Sequence, residues 1–127
     1  MFTSIRYFTR DEAETLLPRL VPGLLRIKKE KERVDAKLKE WGLVDKAGQA
    51  DKAALLRGQI EFLAKSLQEE IEEVQKHGCL LKDLNQGLVD FPARVEGREG
   101  YLCWRLGESA IRHWHGLSEG YQGRKPL

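Results

Sequence analysis

Residues 103–116 read CWRLGESAIRHWHG and gather more reactive side chains than any other stretch of the chain. Cys103, Trp104, Arg105, Glu108, Arg112, His113, Trp114 and His115 all fall here, and two of the protein's three histidines stand one residue apart. On an extended strand, residues two apart point to the same side, so His113 and His115 present two imidazoles to one surface. A carboxylate from a neighbouring strand then completes a two-histidine, one-carboxylate set, which suits a divalent transition metal and can activate water or polarise a substrate. Asp90, in LVDFPARV, is the best placed carboxylate, with Glu108 in reserve. The plainer reading is that the histidines fill hydrogen-bonding roles and that Asp90 pairs with Lys82.

Other chemistries are weaker. Nucleophilic catalysis by Cys103 with His113 requires the two to be neighbours and the thiol to sit in an electropositive, partly exposed place, which Arg105 and Arg112 can supply. The inert alternative is that Cys79 and Cys103 act as small core hydrophobes. Arg94, Arg98, Arg105, Arg112, Arg124 and Lys125 suggest an anion-binding surface, since guanidinium forks match carboxylate and phosphate. Six acids in the same region nearly balance them, so rim ion pairs are the simpler expectation. The glycines of GYQGR lack the strand-to-helix setting of a phosphate-binding loop.

These residues must be positioned by strands. CLLKDL, LVDFPARV, YLCWRL and IRHWH are separated by NQG, EGREG and GESA, which predicts an antiparallel meander over 79–116 followed by a tail over 117–127. SIRYF near the start is a candidate edge strand. With loops at 85–87, 96–100 and 107–110, alternation places Cys79, Leu81, Val89, Phe91, Ala93, Val95, Tyr101, Cys103 and Trp114 on one apolar face. The opposite face carries Lys82, Asp90, Pro92, Arg94, Leu102, Trp104, Leu106, Ile111, His113 and His115. The candidate ligand-binding residues are therefore Asp90, Arg94, Trp104, His113 and His115, and the candidate metal set is His113, His115 and Asp90. In this register Trp104 opposes His113. A one-residue change in the 107–110 turn brings Cys103 beside His113 instead, and both registers stay open.

Ahead of the sheet, residues 9–77 predict two helices. Thr9 followed by Glu12 is a capping box. Leu16, Leu20, Leu24, Ile27, Val34, Leu38 and Trp41 recur at threes and fours, as do Leu56, Ile60, Leu63, Leu67, Ile71 and Val74. Pro18 and Pro22 are expected to kink the first helix or divide off a short segment. Gly42 is expected to end it, with VDKAGQAD as the connection and Asp51 as the second N-cap. The product is an antiparallel, coiled-coil-like hairpin with helices of roughly 35–40 Å each at ~1.5 Å per residue. Its apolar stripe exceeds what a small sheet can cover, so a homodimer through the hairpin is expected. Residues 26–39 hold seven basic and three acidic side chains, while Glu69, Glu70, Glu72 and Glu73 cluster near the end of the second helix. The basic run lacks aromatic interleaving, and no specific nucleic-acid binding is expected.

One α+β domain over 1–127 accommodates both halves. The net charge of +2 does not demand an anionic partner. No apolar run nears the ~18 residues needed to cross a bilayer. The first residues lack the apolar core of a secretion signal, and two cysteines form no disulfide framework, so the expectation is a cytoplasmic protein without membrane association.

GLVDFPARVEG (87–97), LCWRLGE (102–108), the following IRHWH and the closing EGYQGRKP (119–126) resemble, as a set, a small bacterial and archaeal family known as domain of unknown function 2203. The opening RYFTRDEAETLLPRL extends the resemblance over nearly the whole chain. It implies a stand-alone cytoplasmic protein with a helical hairpin and a small β region, and it assigns no roles to particular residues. Taken together, the residues point to an oligomeric binding or scaffolding module with a ligand pocket on the sheet. The alternative is a small enzyme using a divalent transition metal at His113, His115 and Asp90.

Overall fold

Thr9, itself in an extended conformation, starts the first helix, because its hydroxyl accepts from the Glu12 amide while the Glu12 carboxylate accepts from the Thr9 amide. This is the expected capping box. In the computed structural model, which describes residues 5–127, helix α1 then runs unbroken from Arg10 to Lys46. Pro18 and Pro22 do not divide it. Both prolines are exposed, so the carbonyls they leave unpaired can take water, while Leu16, Leu17, Leu20 and Leu24 hold the inner face against the core.

Gly42 does not end α1 either. The helix continues so that Val44 can pack with Ala53 and Leu56 of the second helix, beside Trp41. The connection is only Ala47–Gln49, with Gly48 at φ 73°. Helix α2 spans Ala50–Gln75 with Gln49 at the cap position, where no side-chain cap bond forms; Asp51 lies in the first turn instead. With 37 residues, α1 is about 55 Å long at ~1.5 Å per residue, longer than the periodicity implied. The two helices form the expected hairpin, and Arg26 on α1 pairs with Glu70 on α2 at 3.4 Å.

The remaining chain forms a five-stranded antiparallel sheet in sequential order: β1 Leu80–Asp83, β2 Leu88–Val95, β3 Arg98–Arg105, β4 His113–Gly116 and β5 Lys125–Pro126. The segment expected to be a tail thus contributes a short 3₁₀ turn, Tyr121–Gly123, and an edge strand. Of SIRYF, Ser4 lies outside the described residues, and residues 5–8 form no strand. Phe8 makes a single sheet-like bond, its amide donating to Pro92 O at 2.7 Å.

The register departs from expectation at each hairpin, and the change with the largest consequence is at the β2–β3 turn. Val95 pairs with Arg98 across a two-residue turn, Glu96–Gly97, both at positive φ (53° and 78°). Such a turn matches the natural twist of a hairpin. The five-residue loop at 96–100 would have paired Val95 with Tyr101. The difference of three residues is odd, so every β3 side chain is on the face opposite to the expected one. Leu102 and Trp104 join Val89, Phe91, Ala93 and Trp114 against Leu20, Leu24, Ile27, Leu67 and Val74 of the helices. Ile111, expected on the outer face, is also fully buried in this core; its backbone amide donates to Glu14 Oε1. Cys103 and Tyr101 point the other way. Between β3 and β4, Cys103 faces His113, so the alternative register is the one adopted. Among the described residues, no helix is long and apolar enough to cross a membrane.

Candidate functional site

The outer sheet face carries a polar cluster at its centre. Asp90 on β2 lies directly opposite Cys103 on β3, and Tyr101, two residues back on β3, lies opposite His115 on β4. The Asp90 and His115 side chains reach across the central strand, and His115 Nε2 meets Asp90 Oδ1 at 3.0 Å. Both are buried, with exposures of 3% and 2%. His115 Nδ1 lies 3.0 Å from Gly116 O, an atom that can only accept, so Nδ1 must donate. That bond turns Nε2 toward Asp90, where one proton joins the two side chains. Their nearest functional atoms and Cys103 Sγ lie within 4.8 Å of one another.

A cavity of about 190 Å³ opens over these three residues, bounded also by Lys82, Tyr101, Leu117, Glu119 and Tyr121. Glu119 closes one side by accepting from the Gly116 amide at 2.9 Å and from Lys125 at 3.0 Å. These bonds, the amide first, hold its carboxyl below the usual range. Lys82 does not pair with Asp90; its ammonium sits 5.6 Å from the centre of the Tyr101 ring.

Burial, reinforced by the Asp90 charge, pushes the Cys103 thiol up to about 12. Without a bound cation it therefore has no thiolate near neutrality, and a nucleophilic role beside His113 has no support. Cys79, on the helix side, is raised by burial to about 11 and sits 3.5 Å from Val74 O.

His113 takes part in a separate cluster. Arg124 Nη2 donates to His113 Nδ1 at 2.8 Å and to both Glu108 oxygens at 3.0 Å, and its guanidinium lies over the Tyr121 ring. Burial alone would raise Glu108, but the bonds from Arg124 and the Arg105 amide outweigh it and hold the carboxyl below its ordinary value. Glu108 thus fastens the C-terminal segment to the sheet through Arg124 and is not a member of the Asp90–Cys103–His115 group.

The five expected site residues therefore separate. Asp90 and His115 meet. His113 is held by Arg124. Trp104 lies on the inner face, its indole N–H donating to Glu108 O at 3.0 Å. Arg94, near the end of β2, stacks on Tyr7 at 4.6 Å. Sequence reasoning missed Cys103 as a partner of Asp90 and His115, along with Glu119 and Tyr121 at the rim. The signal for Cys103 was the Glu96–Gly97 pair, because a short turn with glycine second fixes the register.

No curated protein and no solved structure matches this chain. A family model does match, over residues 6–127, and the chain accordingly belongs to the family described as uncharacterized conserved protein (DUF2203).

Proposed function

We propose that this protein is a binding module whose ligand site is the buried polar cluster on the outer sheet face. The observation that carries the reading is the Asp90–His115 pair, almost wholly buried at the floor of a cavity. Taking an ionisable pair out of water costs several kcal/mol per charge, and well-packed apolar residues of similar volume often stabilise a fold as well or better (roughly 1–4 kcal/mol). Stability alone therefore gives little reason for an acid and an imidazole at this position. A concave site with a few convergent polar groups is where ligands bind.

Thermal melts with divalent cations, inorganic phosphate and small dicarboxylates test the reading. At least one is expected to raise the melting temperature of the wild-type protein saturably and leave Asp90→Asn unmoved. Equal stabilisation of both proteins, or of neither, overturns it.

A second observation supports self-association. On α2, Leu55 (63% exposed) and Phe62 (74% exposed) flank a groove floored by Ala54 and Gly58, with Arg33 and Lys37 of α1 beside it. A Cβ at Gly58 would meet nothing within 4 Å, so the notch can take a side chain from outside. A second hairpin of the same pitch fits such a stripe and builds a four-helix arrangement. Light scattering is expected to give a dimer that Leu55→Glu with Phe62→Glu dissolves; a wild-type monomer at micromolar concentration removes the idea.

A further inference from the structure

We infer that Asp90, Cys103 and His115 form a three-ligand site for a transition metal of the zinc class, with a further coordination position facing the outer cavity. The inference rests on reading this cluster as the protein's ligand site, and it names the ligand.

The chemistry of the donors selects the ion. A thiol sulfur, an imidazole nitrogen and a carboxylate oxygen form a mixed set that suits Zn²⁺ or Co²⁺, whereas Ca²⁺ and Mg²⁺ take oxygen ligands. The geometry is close to what such an ion needs. Bonds of about 2.0–2.3 Å place tetrahedral ligands roughly 3.5 Å apart. Here the donors lie within 4.8 Å, with Nε2 and Oδ1 already at 3.0 Å, so side-chain motions of about an ångström or less per ligand suffice.

The support around the ligands points the same way. Metal-binding histidines commonly donate their other ring nitrogen to a carbonyl, which fixes the tautomer and the ring plane. His115 Nδ1 does this to Gly116 O. The three ligands also sit on three adjacent strands, β2, β3 and β4, rather than on loops. That placement gives the rigidity a preorganised metal site requires. His113, the ligand suggested by the His-x-His pattern, is engaged with Arg124 and is not needed.

Loading balances simply. The divalent ion replaces the Cys103 thiol proton and the proton joining Nε2 to Oδ1, and both leave to solvent. Three protein ligands and the cavity beside them leave room for a water or small donor ligand, the pattern of zinc sites that do more than brace a fold.

The test uses the whole chain, stripped with a chelator and titrated with Zn²⁺ and with Co²⁺. The expected result is one ion per chain, a rise in melting temperature with Zn²⁺, and a thiolate-to-cobalt charge-transfer absorption with Co²⁺. Cys103→Ser should abolish that absorption and weaken binding by at least about 10-fold. His115→Gln should weaken it similarly, and His113→Gln should bind as wild type. Cys103→Ser is nearly isosteric, so it decides the case if His115→Gln fails to fold. Absent stoichiometric binding, a charge-transfer band surviving in Cys103→Ser, or equal loss in His113→Gln overturns the inference. If no metal binds but phosphate or a dicarboxylate stabilises the protein through Asp90, the ligand-site reading stands and the metal assignment falls. If nothing stabilises it, both fall.

Discussion

Trp114 and His115 are neighbours in sequence and lie on opposite sides of β4, so their substitutions should have unrelated consequences. Trp114 packs into the core between sheet and helices, with Arg98 and Lys125 over its ring. Truncation to Ala removes a large buried surface and leaves a cavity, at an expected cost of about 3–5 kcal/mol in denaturant unfolding. A Trp114→Ala protein as stable as wild type would mean that the inner face is loosely packed. The alternation that placed Trp114 inside and His115 outside was legible from the sequence, and so was Asp90 on the face of His115. The third member, Cys103, was not. Its side depends on the pairing of β3 with β2, which alternation within a single strand cannot report.

At the scale of elements, what could be read was whatever a local pattern determines. The capping box Thr9–Glu12, the threes and fours of both helices and the alternating strands each have a signature a few residues long. Removing the Thr9 hydroxyl by Thr9→Ala should cost about 1 kcal/mol of stability, read from thermal or denaturant melts. The Glu12 half of the box adds a pH dependence. The Thr9 amide, and then the Thr9 side chain, hold the Glu12 carboxyl below its usual 4.5. Its contribution is therefore complete above that value and is lost as pH falls through the lower folded value. Melting curves of wild type and Glu12→Ala should separate at pH 7 and converge in acid; a constant gap would contradict the assignment. What could not be read was where a helix stops when its neighbour rewards continuation. Gly42 is a good terminator by type, yet the packing of Val44 on Ala53 and Leu56 carries α1 past it. Nor could the tail be read as β5, because two residues hold no alternation.

The whole molecule is elongated, since α1 alone is about 55 Å long while the sheet packs against only one end of the hairpin. A compact chain of 127 residues would have a radius of gyration of about 14 Å. Small-angle scattering, extrapolated to zero concentration, should give a clearly larger value; one near 14 Å would mean that the hairpin folds back. The length of the hairpin also separates two connections that tolerate insertions and deletions very differently. At 47–49, on the distal tip, an added residue lengthens a loop that touches neither the sheet nor the cavity. Between Val95 and Arg98, an added residue taken up by shifting β3 turns that strand over. It would bury Tyr101 and Cys103 against leucines and carry Trp104 into water. Length variation among natural variants should therefore accumulate at the first connection and be purged at the second, where a change of one codon trades the ligand cluster for a broken core.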